Sequence, residues 1–263
     1  INKSLTLKGD RATITTDAGY NIAIEVTQRE VQIRDLTFNK VDQTDRFNIV
    51  VLINGSFCVV ENCEFIGNGS TVGEYGKGTT TPNNLKVINC TFKNYEYCLK
   101  TATSKNLIVS SCYFTGGIDP TYAAANYGNS SMGDGIKMSL DLNDDDQSSG
   151  TAYTGLIGAS ITDCVFEDMN RDGIDLYYRG SNINVSSCIF RGSVNKALDI
   201  KVIYSSTGTS IPDTRQTRCV SVTNNQFIDL VPINYAIDVI TTTDGTITID
   251  ENNSSQAVVI DAN

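Results

Sequence analysis

Histidine and tryptophan are absent from the chain, and proline occurs only 4 times in 263 residues. Without His, a Ser/His/Asp triad, a Cys/His nucleophile pair and His-ligated zinc are all excluded. No C-x-x-C pair occurs either, so a zinc knuckle has no ligand spacing to build on. No apolar run approaches the roughly 20 residues of a bilayer-spanning helix, and membrane insertion is not expected. The opening "INKSLTLKG" carries no signal-like apolar segment and reads as the start of a mature protein or excised domain. Formal net charge is −10, so a general field attracting nucleic acid or an anionic membrane is missing. An anionic ligand would need local Lys, Arg or a bridging cation.

What the chain has instead is Val, Ile, Thr, Ser and Asn together with 21 Gly. That composition suits short strands joined by tight turns. A Phe preceded by x-Cys-x recurs as "ENCEF" ending at Phe65, "INCTF" at Phe92, "SSCYF" at Phe114, "TDCVF" at Phe166 and "SSCIF" at Phe190. Degenerate copies, "RDLTF" and "TNNQF", end at Phe38 and Phe227. Successive intervals of 27, 27, 22, 52, 24 and 37 residues describe one coil of about 22 to 27 residues with insertions in the two long gaps. Apolar residues alternate within each copy, as in Leu107, Val109, Cys112, Phe114, so the unit contains a half-buried strand. Strands repeating with no helix between them stack parallel, about 4.8 Å apart. The expected fold is all-β, a right-handed parallel β-helix forming a single domain over 1–263, either whole or cut from a longer chain.

In that fold Cys63, Cys90, Cys112, Cys164 and Cys188 form an internal column beside the Phe column. They are read as buried thiols acting as small hydrophobes rather than as disulfide or metal ligands. Unpaired thiols suit folding in a reducing compartment. Sequons such as "NGS" at Asn54 and "NCT" at Asn89 are expected by chance in this composition.

These repeats resemble the pectate-lyase-like superfamily of right-handed β-helices, over essentially the whole chain, as a fold-level pattern rather than a catalytic signature. The resemblance implies a scaffold on which acidic polysaccharides are bound or cleaved, or one used by phage tailspikes. Polygalacturonases of the superfamily carry a His motif, and this chain has no His.

A second strand follows each Phe: "CLKT" at 98, "GIKM" at 135, "GIDL" at 173, "ALDI" at 197 and "AIDV" at 236. Flanking apolar residues such as Ile174 and Leu176 point inward, so the residue between them points to solvent. Lys100, Lys137, Asp175, Asp199 and Asp238 therefore form one outward column of two cations and three carboxylates. Stacked like charges destabilise a sheet. A bound cation, a shared proton or nearby Lys196 and Lys201 would offset them. Asp134 and Asp172 come from the preceding turns, and Tyr177, Tyr178, Arg179 and Lys201 lie just beyond; aromatic faces, cations and carboxylates together suit sugars. Gly135 and Gly173 are read as turn glycines with positive φ. Residues 115–134 and 139–154 and the stretch after Lys201 are long insertions able to wall a groove. The "DDD" at 144–146 is read as a solvated acidic loop.

Three functions follow. By resemblance to calcium-dependent lyases, Lys137 is the base of a β-elimination and Asp172, Asp175 and Asp199 hold calcium, although a neighbouring carboxylate would raise rather than lower the pKa of that lysine. By paired carboxylates, hydrolysis would use Asp175 with Asp199, near the roughly 5–5.5 Å of retaining enzymes, or Asp175 with Asp238, near the roughly 6.5–9.5 Å of inverting ones. Substrate binding falls to Tyr177, Tyr178, Arg179, Lys201 and Asp238. The third is a non-catalytic glycan-binding or structural β-helix of a tailspike or bacterial surface protein, a homotrimer in the tailspike case. In each the partner is a polysaccharide, and the expected setting is extracellular, a cell surface or a virion.

Overall fold

The computed structural model describes residues 3–16, 22–40, 49–67, 70–73, 83–95, 97–101, 104–117, 133–138, 157–177, 181–192, 196–201, 218–230, 235–240 and 258–260. Among these, every helical or extended element is a β-strand, and every strand pair is parallel. One coil is represented by Ser181–Ser186, Ile189–Arg191 and Lys196–Lys201. Its first two strands join a 15-stranded sheet and its third joins an 8-stranded sheet. The long sheet consists of two ladders that meet in Gln32–Lys40, which pairs with both Val59–Glu61 and Glu64–Ile66. The result is a parallel β-helix.

Coil registration follows the Phe repeat. Phe38, Phe65, Phe92, Phe114, Phe166, Phe190 and Phe227 are direct neighbours in successive coils. Their rings stack face to face, from 4.7 Å between Phe114 and Phe166 to 5.4 Å between Phe190 and Phe227. In-register strands impose that spacing, which lies within the range where offset aromatic pairs attract. The rings from Phe38 to Phe190 are fully buried, each contributing on the order of 1.5–3 kcal/mol of burial energy.

The corner three residues before each stacked Phe explains how a strand can turn there. Asp35, Asn62, Asn89, Ser111, Asp163, Ser187 and Asn224 hold left-handed backbone with φ between 50° and 56°. Asn, Asp and Ser tolerate that region because their short polar side chains bond locally. At the exposed rim the amide of Asn89 donates to Asn62 at 2.8 Å, and that of Asn62 to Asp35 at 3.1 Å.

All eight cysteines are free, and all but Cys219 are buried. The thiol of Cys90 lies 3.3 Å from the Ile88 carbonyl and 3.6 Å from that of Val60, one coil earlier, and the pattern repeats at Cys112 and Cys188. Burial raises the pKa of the Cys90 and Cys98 thiols, so they stay protonated and unreactive. They pack as small apolar groups, as expected from the sequence.

Gly135 and Gly173 depart from expectation. Neither holds positive φ. A Cβ at Gly135 would lie 2.8 Å from the Phe166 ring and 2.6 Å from the Gly173 carbonyl, and at Gly173 it would lie 2.9 Å from the Phe190 ring. Glycine is required there by close approach of the short sheet to the aromatic stack, not by a turn.

Candidate functional site

The 8-stranded sheet carries the charges in the expected register. Lys100 pairs with Lys137, Lys137 with Asp175, Asp175 with Asp199, and Asp199 with Asp238. Ile136, Ile174, Leu176 and Leu198 fill the core from the opposite face of the same strands. Tyr177 and Lys201 are register neighbours at the end of the column. Tyr178 and Arg179, most of the three insertions and the "DDD" run lie outside the described residues.

From Lys100 to Asp199 the column is not solvent-exposed, which corrects the reading of that face as open; the side chain of Asp238 lies outside the described residues. Asp175 is 0% exposed, Asp199 3%, and Lys100 and Lys137 7% each. Alternation along a strand decides which face a side chain occupies, but not whether that face is covered. Parallel sheets are commonly buried on both faces. The strand Asp134–Met138 is buried at every position.

Burial makes the charges expensive unless they are paired. Lys137 bonds to the Asp175 carboxylate and lies 3.5 Å from Asp134 Oδ2. Arg171 lies between Asp134, at 3.6 Å, and Asp172, at 3.7 Å. Lys196 donates to Asp199 at 3.1 Å. The Lys100 ammonium rests 5.2 Å from the centre of the Tyr97 ring, with Lys137 at 5.9 Å from the same ring. Four carboxylates thus meet three cations, Lys137, Arg171 and Lys196, on neighbouring coils. The Asp172 amide donates to Asp134 Oδ1 at 3.2 Å, tying the two coils together.

Electrostatics sort the carboxylates. Burial, reinforced by Asp134, Asp199 and Asp175, pushes Asp172 up to about 7. Asp134 is also raised by burial, against the pull of Lys137 and Arg171. For Lys137, burial disfavours its charge, yet Asp134 and Asp175 outweigh it and its pKa is raised. Burial likewise opposes the charge of Arg171, and Asp134, Asp172 and Asp175 hold it protonated. One oxygen from each of Asp172, Asp175 and Asp199 lies within 4.8 Å of the other two. The cluster thus places Asp172, which can carry a proton near neutral pH, beside two further carboxylates, the arrangement general acid and base chemistry uses.

Two members escaped the sequence reading as participants. Arg171 precedes the Asp-Gly pair, and nothing in the periodic pattern assigns its side chain to a face. Asp134, expected as a turn residue, bridges Lys137, Arg171 and the Asp172 amide. The most exposed members are the side chains of Arg171, at 27%, and Lys196, at 16%. They mark the side on which the cluster meets solvent.

A family model described as "Right handed beta helix region" matches residues 22–214. Among solved structures, the chain is similar to an alginate lyase from Paenibacillus sp. str. FPU-7, at 11% identity and a TM-score of 0.33, over 88% of this chain and 99% of that one. A likeness of that strength carries no weight for function. No curated protein matches the chain significantly.

Proposed function

Because the chain belongs to the right-handed β-helix family, we propose that it is a carbohydrate-active β-helix that binds an extended, acidic polysaccharide and cleaves it by hydrolysis at the cluster around Asp172. The observation that carries this reading is the concentration of charge. Lys100, Asp134, Lys137, Asp172, Asp175 and Asp199 are the buried charged residues among those described, and all sit on adjoining strands of the short sheet. Buried ion pairs add little stability over apolar packing, so gathering them in one place points to chemistry.

In this reading Asp172, protonated near neutrality, donates to the glycosidic oxygen of the leaving sugar. Asp199 is the carboxylate that attacks the anomeric carbon or activates water. Asp175, locked to Lys137, keeps the local charge fixed. Separations within 4.8 Å lie closer to the roughly 5–5.5 Å of retaining glycosidases than to the wider spacing of inverting ones. Lys196 and Arg171, at the solvent side, are suited to a uronate carboxylate.

β-Elimination is the second reading. Asp172, Asp175 and Asp199 offer hard oxygen donors of the kind calcium takes, and calcium there would neutralise a uronate carboxylate. Each of these acids already faces Arg171, Lys137 or Lys196, and a Lys137 held protonated by two carboxylates makes a poor base.

The test is incubation with uronate-containing and capsular glycans, with and without a calcium chelator, following both unsaturated-product absorbance and reducing ends. Hydrolysis predicts reducing ends alone, insensitive to chelator, and their loss in Asp172→Asn. Chelator-sensitive unsaturated product would establish the lyase. Retention of the glycan without either product would leave a binding β-helix.

A further inference from the structure

The corner that opens each coil's first long-sheet strand holds a left-handed residue in every coil where it is described: Glu30, Phe57, Asn84, Asn106, Gly158, Asn182 and Cys219. Asn and Gly are at home in that conformation; a bulky aromatic is not. Phe57 nonetheless has φ 60° and is 47% exposed, more than any other large apolar residue described. Its backbone amide is fixed to the Asn83 carbonyl at 2.6 Å, so the ring is held outward by the coil itself. The Arg29 guanidinium lies 5.1 Å from the ring centre and 3.2 Å from the exposed Glu30 carboxylate, a surface pair that a ligand's carboxylate would compete with. One and two coils on, the same corner presents Asn84 and Asn106, whose amides bond to each other at 3.3 Å.

We propose that this corner is an auxiliary polysaccharide subsite, separate from the charge cluster, in which Phe57 is a stacking platform, Arg29 takes an acidic sugar's carboxylate, and Asn84 and Asn106 take ring hydroxyls. Along the axis the corner carries Glu30 with its partner Arg29, then the Phe57 face, then the Asn84 and Asn106 amides, so a linear glycan would meet a charged pair, an apolar face and donor–acceptor amides on successive coils. A ring has an apolar C–H face that covers an aromatic, and vicinal hydroxyls match a side-chain amide. Backbone strain at an exposed position brings no packing benefit, so the aromatic is retained at some loss of stability. The inference rests on the polysaccharide reading for its ligand class, but not on the chemistry at Asp172.

The test is affinity electrophoresis of the whole chain in gels containing polygalacturonate, alginate or a neutral glucan, with thermal unfolding measured in parallel. Phe57→Asn is expected to weaken retention about two- to tenfold in an acidic gel, the range a lost aromatic contact gives, while its unfolding midpoint stays equal or rises because Asn suits the corner. Phe57→Tyr should keep retention. Unchanged retention in Phe57→Asn, or a loss that merely tracks a fall in stability, would overturn the subsite. Failure of the polysaccharide reading looks different: the unaltered chain would be retained by none of the gels.

Discussion

The two sheets of this β-helix solve the same stacking problem with opposite materials. In the long sheet, identical side chains recur at each coil, and repetition is favourable because rings and thiols attract or at least tolerate their own kind. In the short sheet, repetition of a charge would be unfavourable, and the sequence changes from lysine to aspartate in mid-column, with Lys137 bonded to Asp175 across the change. The first arrangement can be extended indefinitely; the second works only at one place along the axis. A scaffold and a site are thereby distinguished by whether their column is uniform.

Removing a unit from the uniform column should cost most. Phe114→Ala, between two stacked neighbours, is expected to lower unfolding free energy by about 3–5 kcal/mol in denaturant titration. Breaking the mixed column should cost nearly as much when done by halves: Lys137→Met strands a buried Asp175 and should lose about 3–5 kcal/mol, whereas Lys137→Met with Asp175→Leu should recover most of it. Recovery would show that the charges are not there for stability, and failure to recover would remove that contrast between the sheets. Third in size is a pH effect. Asp172 is raised to about 7 in the folded chain from an ordinary value of 3.8, so its proton stabilises the fold below pH 4, and that contribution is lost as pH rises through 7. The stability of Asp172→Asn relative to the unaltered chain should therefore grow between pH 4 and pH 7 by on the order of 2–4 kcal/mol. Smallest is the surface control: Lys93 and Glu64, paired at 2.7 Å on the long sheet but about two-fifths exposed, should show a coupling of only about 0.2–1 kcal/mol in a double-mutant cycle.

The uniform column was the legible part of the sequence. Each of the seven Phe positions and each charged register position follows from interval and alternation alone, because both are properties of the chain. Burial of Asp175 and Lys137 was not legible, since it depends on what lies over the outer face and no periodicity records that. Gly135 and Gly173 were misread for a related reason. An Asp-Gly pair has the same letters whether glycine is needed for its φ or for its missing Cβ, and only the distance to Phe166 or Phe190 decides. The left-handed corner has its own signal, the residue three before each stacked Phe, which is always Asn, Ser or Asp.

The ring stack also separates chain length from core geometry. Phe114 and Phe166 are 52 residues apart in sequence and 4.7 Å apart in space; Phe166 and Phe190 are 24 apart and 4.8 Å. Doubling a loop adds only about 0.6 kcal/mol of closure entropy, less than one stacked phenylalanine returns. Whole excursions can therefore be spliced in or trimmed between coils at small thermodynamic penalty, giving the molecule a rigid spine on which recognition can be rewritten without refolding the rest.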